Sequence, residues 1–167
     1  MRFVVIIIGA GLALSACGQD NVGTAETGED RSTYSVDSED GTVSSTITTV
    51  DGTTSMESGA NVKAKLPENF TIFPGAEVVE TTNVTNNEGA VTMVTLRAKA
   101  DPDQFASFYR NQAERAGIAV NTELTINGNK MLSGKGKNGE TFSLNAMQEE
   151  GEDTTTAQLS ISKGMLN

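Results

Sequence analysis

From residue 77 onward the apolar positions follow two periods, and each change of period marks a boundary. Over 77–84 and 90–99 β-favouring residues alternate with polar ones across the polar turn Asn86-Asn87-Glu88-Gly89, which predicts two strands. Between 101 and 117 the spacing lengthens to that of a helix. Phe105, Phe108, Tyr109, Gln112, Ala113 and Ala116 fall on one stripe, with Arg110 and Arg115 near the negative end of the dipole. Asp101 suits the N-cap, Pro102 the first helical position, Gln104 a capping-box partner and Gly117 the left-handed close. The stripe reads as core, with Phe108 buried and Tyr109 keeping its hydroxyl at the edge. The period then returns to two. Ile118, Val120, Thr122, Leu124 and Ile126 share a face, and Phe142, Leu144 and Ala146, then Ala157, Leu159 and Ile161, alternate again. Asn127-Gly128 and Asn138-Gly139 are type I′ hairpin signals. The fold class expected is α+β: two layers, an antiparallel sheet with one helix, in the order strand-strand-helix-four strands.

Leu66-Pro67 and Phe73-Pro74-Gly75-Ala76 read as an extended lead-in with a turn, because proline disfavours helix at the residue before it. Further upstream the pattern thins. Residues 18–60 hold seven large apolar residues (Val22, Tyr34, Val36, Val43, Ile47, Val50, Met56) beside sixteen Ser or Thr, too few to offset chain entropy by burial. Asp40-Gly41 and Asp51-Gly52, eleven apart, nevertheless suit hairpin turns. Residues 18–31 read as a disordered tether, and 34–58 as either short strands docked on the domain or more tether. Geometry adds a demand. A helix about 10 Å wide cannot cover six strands spanning nearly 29 Å. The apolar face (Val94, Leu96, Ile118, Val120, Leu124, Phe142, Leu144, Leu159, Ile161) needs a cover, and the other face is expected to be polar, rich in Thr, Ser and Asn. Strong curvature, residues 34–62 laid across with Tyr34, Val36, Ile47 and Val50 inward, or a second copy or partner would supply it. The upstream segment is favoured, because its few apolar residues otherwise have nowhere to go.

The N-terminus carries one basic residue, Arg2, an apolar run from Phe3 to Leu14, and small residues before a cysteine. This is the layout of a signal peptide. About 12 apolar residues are too short to span roughly 30 Å of hydrocarbon, so the run is an address and not an anchor. Leu14-Ser15-Ala16-Cys17 resembles the lipobox of bacterial lipoproteins. The resemblance implies cleavage before Cys17 and lipidation of its thiol, palmitate among the acyl chains. Two chains give a stable anchor where one does not. By the same resemblance, Gly18 in place of Asp favours the outer membrane, facing the periplasm. The chain thus divides into a signal peptide (1–16), an acidic Ser/Thr-rich tether (17–60) and an α+β domain (61–167). The prolines of the lead-in, the Phe108-Tyr109 helix closing at Ala116-Gly117 and the strands after it are similar to a small exported domain of bacterial lipoproteins, over roughly 65–163. That type is uncharacterised, and the resemblance transfers no catalytic residue.

Composition narrows the chemistry. There are 22 acidic against 12 basic groups, no His, no Trp and one Cys. Residues 18–60 carry net −8 and 61–167 net −3, without the basic footprint that nucleic acid requires. With no His, and Cys17 committed to lipid, neither a Ser-His-Asp nor a Cys-His nucleophile can be assembled. Glu149, Glu150, Glu152 and Asp153 offer either a weak Ca²⁺ site or a solvated turn, and the turn is favoured because the alternating ligands of an EF-hand loop are missing. Gly134-Lys135 follows Gly128 with five residues between, not the four of a P-loop, and Gly136 stands where Ser or Thr is needed. That stretch reads as a hairpin. No catalytic, cofactor-binding or metal-binding residue is expected. The function expected is that of a non-catalytic envelope lipoprotein, an interaction or structural module, with the membrane and an envelope protein or glycan as partners. The alternative is a carboxylate-dependent envelope enzyme such as a glycan hydrolase, which the scarcity of aromatics argues against.

Replacing Cys17 by Ser removes the only thiol that can accept a glyceryl group. The substituted protein is expected to lose label from a palmitate analogue and to leave the membrane fraction. Label retained on Cys17→Ser would sink the lipobox reading.

Overall fold

The computed structural model describes residues 21–27, 30–37, 41–49 and 52–164; the Leu14-Ser15-Ala16-Cys17 string expected to be a lipobox lies outside them. Four strands come first: β1 (Asn21–Thr27), β2 (Asp30–Asp37), β3 (Thr42–Thr49) and β4 (Gly52–Gly59). Then follow β5 (Glu77–Thr85), β6 (Ala90–Ala98), the helix α1 (Pro102–Arg115), β7 (Ile118–Ile126), β8 (Asn129–Gly136), β9 (Thr141–Gln148) and β10 (Thr155–Lys163). All ten strands form one sheet in the order β1-β2-β3-β4-β5-β6-β10-β9-β8-β7, with every neighbouring pair antiparallel.

The α+β class, the antiparallel sheet and its one helix are as expected, but the element order differs. Strands continue upstream of the expected pair, so the fold is mainly β. Residues 21–59, read as tether with strands at 34–58 as one option, pair strand by strand and join β5 through Met56↔Val84 and Gly59↔Thr81. The entropy objection is met by the ladder: an existing edge supplies backbone partners, so Thr-, Ser- and Val-rich segments extend it without a core of their own. This segment does not lie across the apolar face. Tyr34 and Val36 pair with Ser45 and Val43, Ile47 is exposed, and Val50 lies outside the described residues.

The cover comes from elsewhere. α1 packs on β7–β10 and leaves β5 and β6 bare. Residues 60–76 run over the remaining sheet and tuck Leu66, Phe70, Ile72 and Phe73 into the core. They have no ladder of their own, so buried side chains serve them. Asn83 Nδ2 donates to the Lys63 carbonyl (2.9 Å), and the Lys65 N–H donates to Asn83 Oδ1 (3.0 Å). Thr92 Oγ1 donates to the Lys65 carbonyl (2.9 Å). On the helix, Gln112 Oε1 accepts from the Thr71 N–H and Gln112 Nε2 donates to Thr71 Oγ1, both 3.0 Å. The Tyr109 hydroxyl accepts from the Phe73 N–H at 3.1 Å. Phe73 stacks on Phe105 at 4.1 Å between ring centres and meets the edge of Phe108 at 5.2 Å.

Tyr109 therefore reverses its expected role: it is fully buried with its hydroxyl inside, whereas Phe108 is only half-buried. The helix ends agree with expectation. The Asp101 N–H donates to Gln104 Oε1 (2.9 Å), Pro102 occupies the first turn, and Gly117 takes φ 78°. The turn signals divide. Asn127 (φ 51°) and Gly128 (φ 82°) form the type I′ turn between β7 and β8. Asn138-Gly139 belongs to a longer loop, closed by Gly136 N–H to the Glu140 carbonyl (2.8 Å), in which only the glycine is left-handed.

The largest departure is in β7. The ladder slips between Val120 and Thr122, so Ile118 and Val120 face the helix while Thr122, Leu124 and Ile126 turn to the opposite face. Gly134 lies opposite Val120; a Cβ there would come within 2.5 Å of the Ala119 carbonyl oxygen, so only glycine allows this approach. Leu124, expected inside, is 47% exposed.

Truncation should follow this burial. Tyr109→Ala is expected to cost about 3–5 kcal/mol, and Phe108→Ala clearly less, in urea melts at neutral pH. Equal losses would mean that Tyr109 is not the anchor described here.

Burial pushes the Tyr109 phenol well above its ordinary range, outweighing the opposing effect of the Phe73 N–H. The folded chain holds this proton where the unfolded chain releases it, above about pH 10. Stability from this group is thus fully present below that pH and falls as pH rises beyond it. In melts from about pH 8 to 11 the wild-type chain should lose its advantage over Tyr109→Phe; a gap constant with pH would contradict the burial.

Candidate functional site

Residues directly opposite across an antiparallel ladder project to the same face, so the registers define the face that α1 and residues 60–76 leave open. One row runs Thr122, Ser133, Ser143, Ser160, Met93, Thr82, Ser58, Val43 from β7 to β3. A second runs Leu124, Met131, Asn145, Gln158, Thr95. Ile126 and Met147 stand on a third row, and Met56 and Ile47 on β4 and β3 share the same face.

All seven exposed large hydrophobic residues among those described, Ile47, Met56, Met93, Leu124, Ile126, Met131 and Met147, lie on this face, each 36–52% exposed. Four of the chain's six methionines are here. Between β6 and β7 the face forms a groove of about 370 Å³ lined by Met93, Leu124, Met131, the hydroxyls of Ser133 and Ser143, and the Asn145 and Gln158 amides. Among the described residues no ionisable or aromatic side chain lines it. The face expected to be simply polar therefore carries an apolar patch. Strand parity places Met93, Met131 and Met147 there, opposite in phase to Val94, Leu132 and Ala146; Leu124 and Ile126 reach it only through the bulge.

At one end of the face a wider, open cavity of about 750 Å³ is lined by Arg97, Asn129, Met147, Gln148, Glu149, Glu152, Thr154 and Thr156. Its acidic side belongs to the β9–β10 loop. Glu149, Glu150 and Glu152 are exposed there, and Asp153 binds Lys99 Nζ at 3.0 Å. That lysine, with the Thr154 hydroxyl, holds the Asp153 carboxyl below its usual range. Among the described residues no three His, Cys, Asp or Glu side chains are grouped to hold a metal ion. The glycines around Lys135 lie in the β8 strand and its turns, as the hairpin reading expects. Glu140 sits in the β8–β9 loop, where its own N–H and that of Asn138 lower its pKa. The ion pairs Arg110–Glu123 (2.5 Å) and Lys130–Asp103 (2.7 Å) tie α1 to β7 and β8. No helix among the described residues is long and apolar enough to cross a membrane.

Residues 78–155 match the family described as START domain-like. The match begins in β5, takes in β6, α1, β7, β8 and β9, and ends at the first residue of β10, before the groove residues Gln158 and Ser160. No curated protein and no solved structure matches the chain.

Proposed function

We propose that the protein is a non-catalytic lipoprotein of the bacterial cell envelope, held at the outer membrane through acyl chains on Cys17 and facing the periplasm, and that its sheet domain is an interaction module for an envelope protein. The observation that carries the interaction reading is the gathering, among the described residues, of all seven exposed large hydrophobics on the helix-free face, while the anchor rests on the Leu14-Ser15-Ala16-Cys17 string. Apolar side chains left exposed on one face, four of them (Leu124, Ile126, Met131 and Met147) on the adjacent strands β7–β9, are a common mark of an interaction surface. Thioethers suit a protein partner, since they repack around varied side chains. A glycan would more commonly be met by aromatic rings, and the groove has none. Glu149 and Glu152 give the glycan-hydrolase alternative little support: both are exposed on one loop.

The test uses the full chain in native envelopes with a photo-reactive residue at position 145 in the groove or at position 114 on the exposed side of α1. Adducts with an envelope protein are expected from 145 only, and should disappear in Met93→Lys/Met131→Lys, whose melting temperature should stay near wild type because both sites are at the surface. Equal adducts from both positions, or adducts that survive the lysines, would refute the docking face.

A further inference from the structure

Among the described residues β7 is the outermost strand at its side of the sheet and pairs only with β8. Soluble proteins usually blunt such an edge with proline, lysine, an inward charge or a β-bulge, and here the bulge between Val120 and Thr122 interrupts only the first half of the strand. Ile118–Ile126 contains neither proline nor lysine, and its one charge, Glu123, is held by Arg110 Nη2 at 2.5 Å. Beyond the bulge the strand is regular from Thr122 to Ile126, a neutralised run of Thr, Leu and Ile that favours extended backbone.

We propose that β7 pairs antiparallel with β7 of a second copy, about a two-fold axis through Leu124. Three features fix that register. The bulge between Val120 and Thr122 breaks the ladder, so only 122–126 offers an uninterrupted edge, and its midpoint is Leu124. Centring on Glu123 would oppose two carboxylates, which is unfavourable across a strand pair. Centring on Leu124 sets leucine against leucine, Thr122 against Ile126 and Glu123 against Thr125. An axis normal to the sheet keeps both helices on one side. The two Leu124–Met131 patches then meet across the seam, enlarging the apolar face.

A second copy suits this edge better than an unrelated extended peptide. It brings a strand whose only charge is already paired, and every backbone group that one copy offers the other can answer. The pairing is made by the backbone of the sheet edge, although Leu124 and Thr122 also line the groove; adducts from position 145 report the docking reading, and a Leu124→Cys dimer reports this one.

The register makes the test specific. Directly opposed residues have Cα atoms about 4.5–5.5 Å apart, within disulfide reach, whereas Thr122 lies about 13 Å from its own counterpart. Leu124→Cys, Thr122→Cys and Ile126→Cys are made in the full chain, expressed in its envelope and mildly oxidised, with the unsubstituted chain reporting any disulfide formed by Cys17. Leu124→Cys should give a covalent dimer several-fold above that background. Thr122→Cys and Ile126→Cys should stay at background alone and form a dimer when co-expressed. No dimer from Leu124→Cys, equal dimer from all three single variants, or cross-linking of Leu124→Cys to a protein of another size would each overturn the proposal.

Discussion

The fold depends on how a stretch without a ladder, residues 60–76, is held between a helix and a sheet. An extended backbone buried in a core presents donors and acceptors that must be answered, and each one left unanswered costs about 1–3 kcal/mol. Here the answers come from Asn83 and Thr92 on the sheet and from Gln112 and Tyr109 on the helix. All four are buried. They explain themselves structurally, which removes them from any search for chemistry. Thr81 Oγ1 is the one buried side-chain polar atom among the described residues left without a partner.

That clamp also decides which face is free. Because helix and lead-in segment together cover one side of β5–β10, the upstream strands are not needed as a lid and extend the edge instead. The other side is left open across the sheet, and the residues that gather there have adaptable, weakly polar side chains. A helix-covered face and an uncovered, methionine-bearing face are two consequences of one packing solution.

Much of this was legible in the pattern of residues. The helix from Pro102, the hairpin at Asn127-Gly128 and the alternation in β6, β9 and β10 all follow from local rules that the tertiary structure does not override. The lead-in prolines marked an extended segment, but nothing local said that it would be buried, because its partners lie 18 to 41 residues away in the chain. Tyr109 was misjudged for the same reason: a hydroxyl is expected at the surface unless a distant backbone N–H is known to meet it. The upstream strands were undervalued because burial was weighed and the edge of β5 was not. The free face was half visible, in the phase of Met93, Met131 and Met147.

The rest turned on one residue. A period-two reading from Ile118 to Ile126 assumes an unbroken ladder, and a single inserted position inverts everything beyond it. No hydrophobic signal announces that insertion, since Asn121 and Thr122 suit either face; the nearest sign is Gly134, on the neighbouring strand, where a side chain would strike the Ala119 carbonyl just ahead of the bulge. The inversion takes two large aliphatic side chains out of the core and adds them to the face that α1 does not cover. It also shortens the regular part of the edge to Thr122–Ile126. Both the apolar patch and the register available to the edge therefore descend from the same backbone irregularity, so a change that straightens β7 should bury Leu124, thin the patch and shift the edge at once.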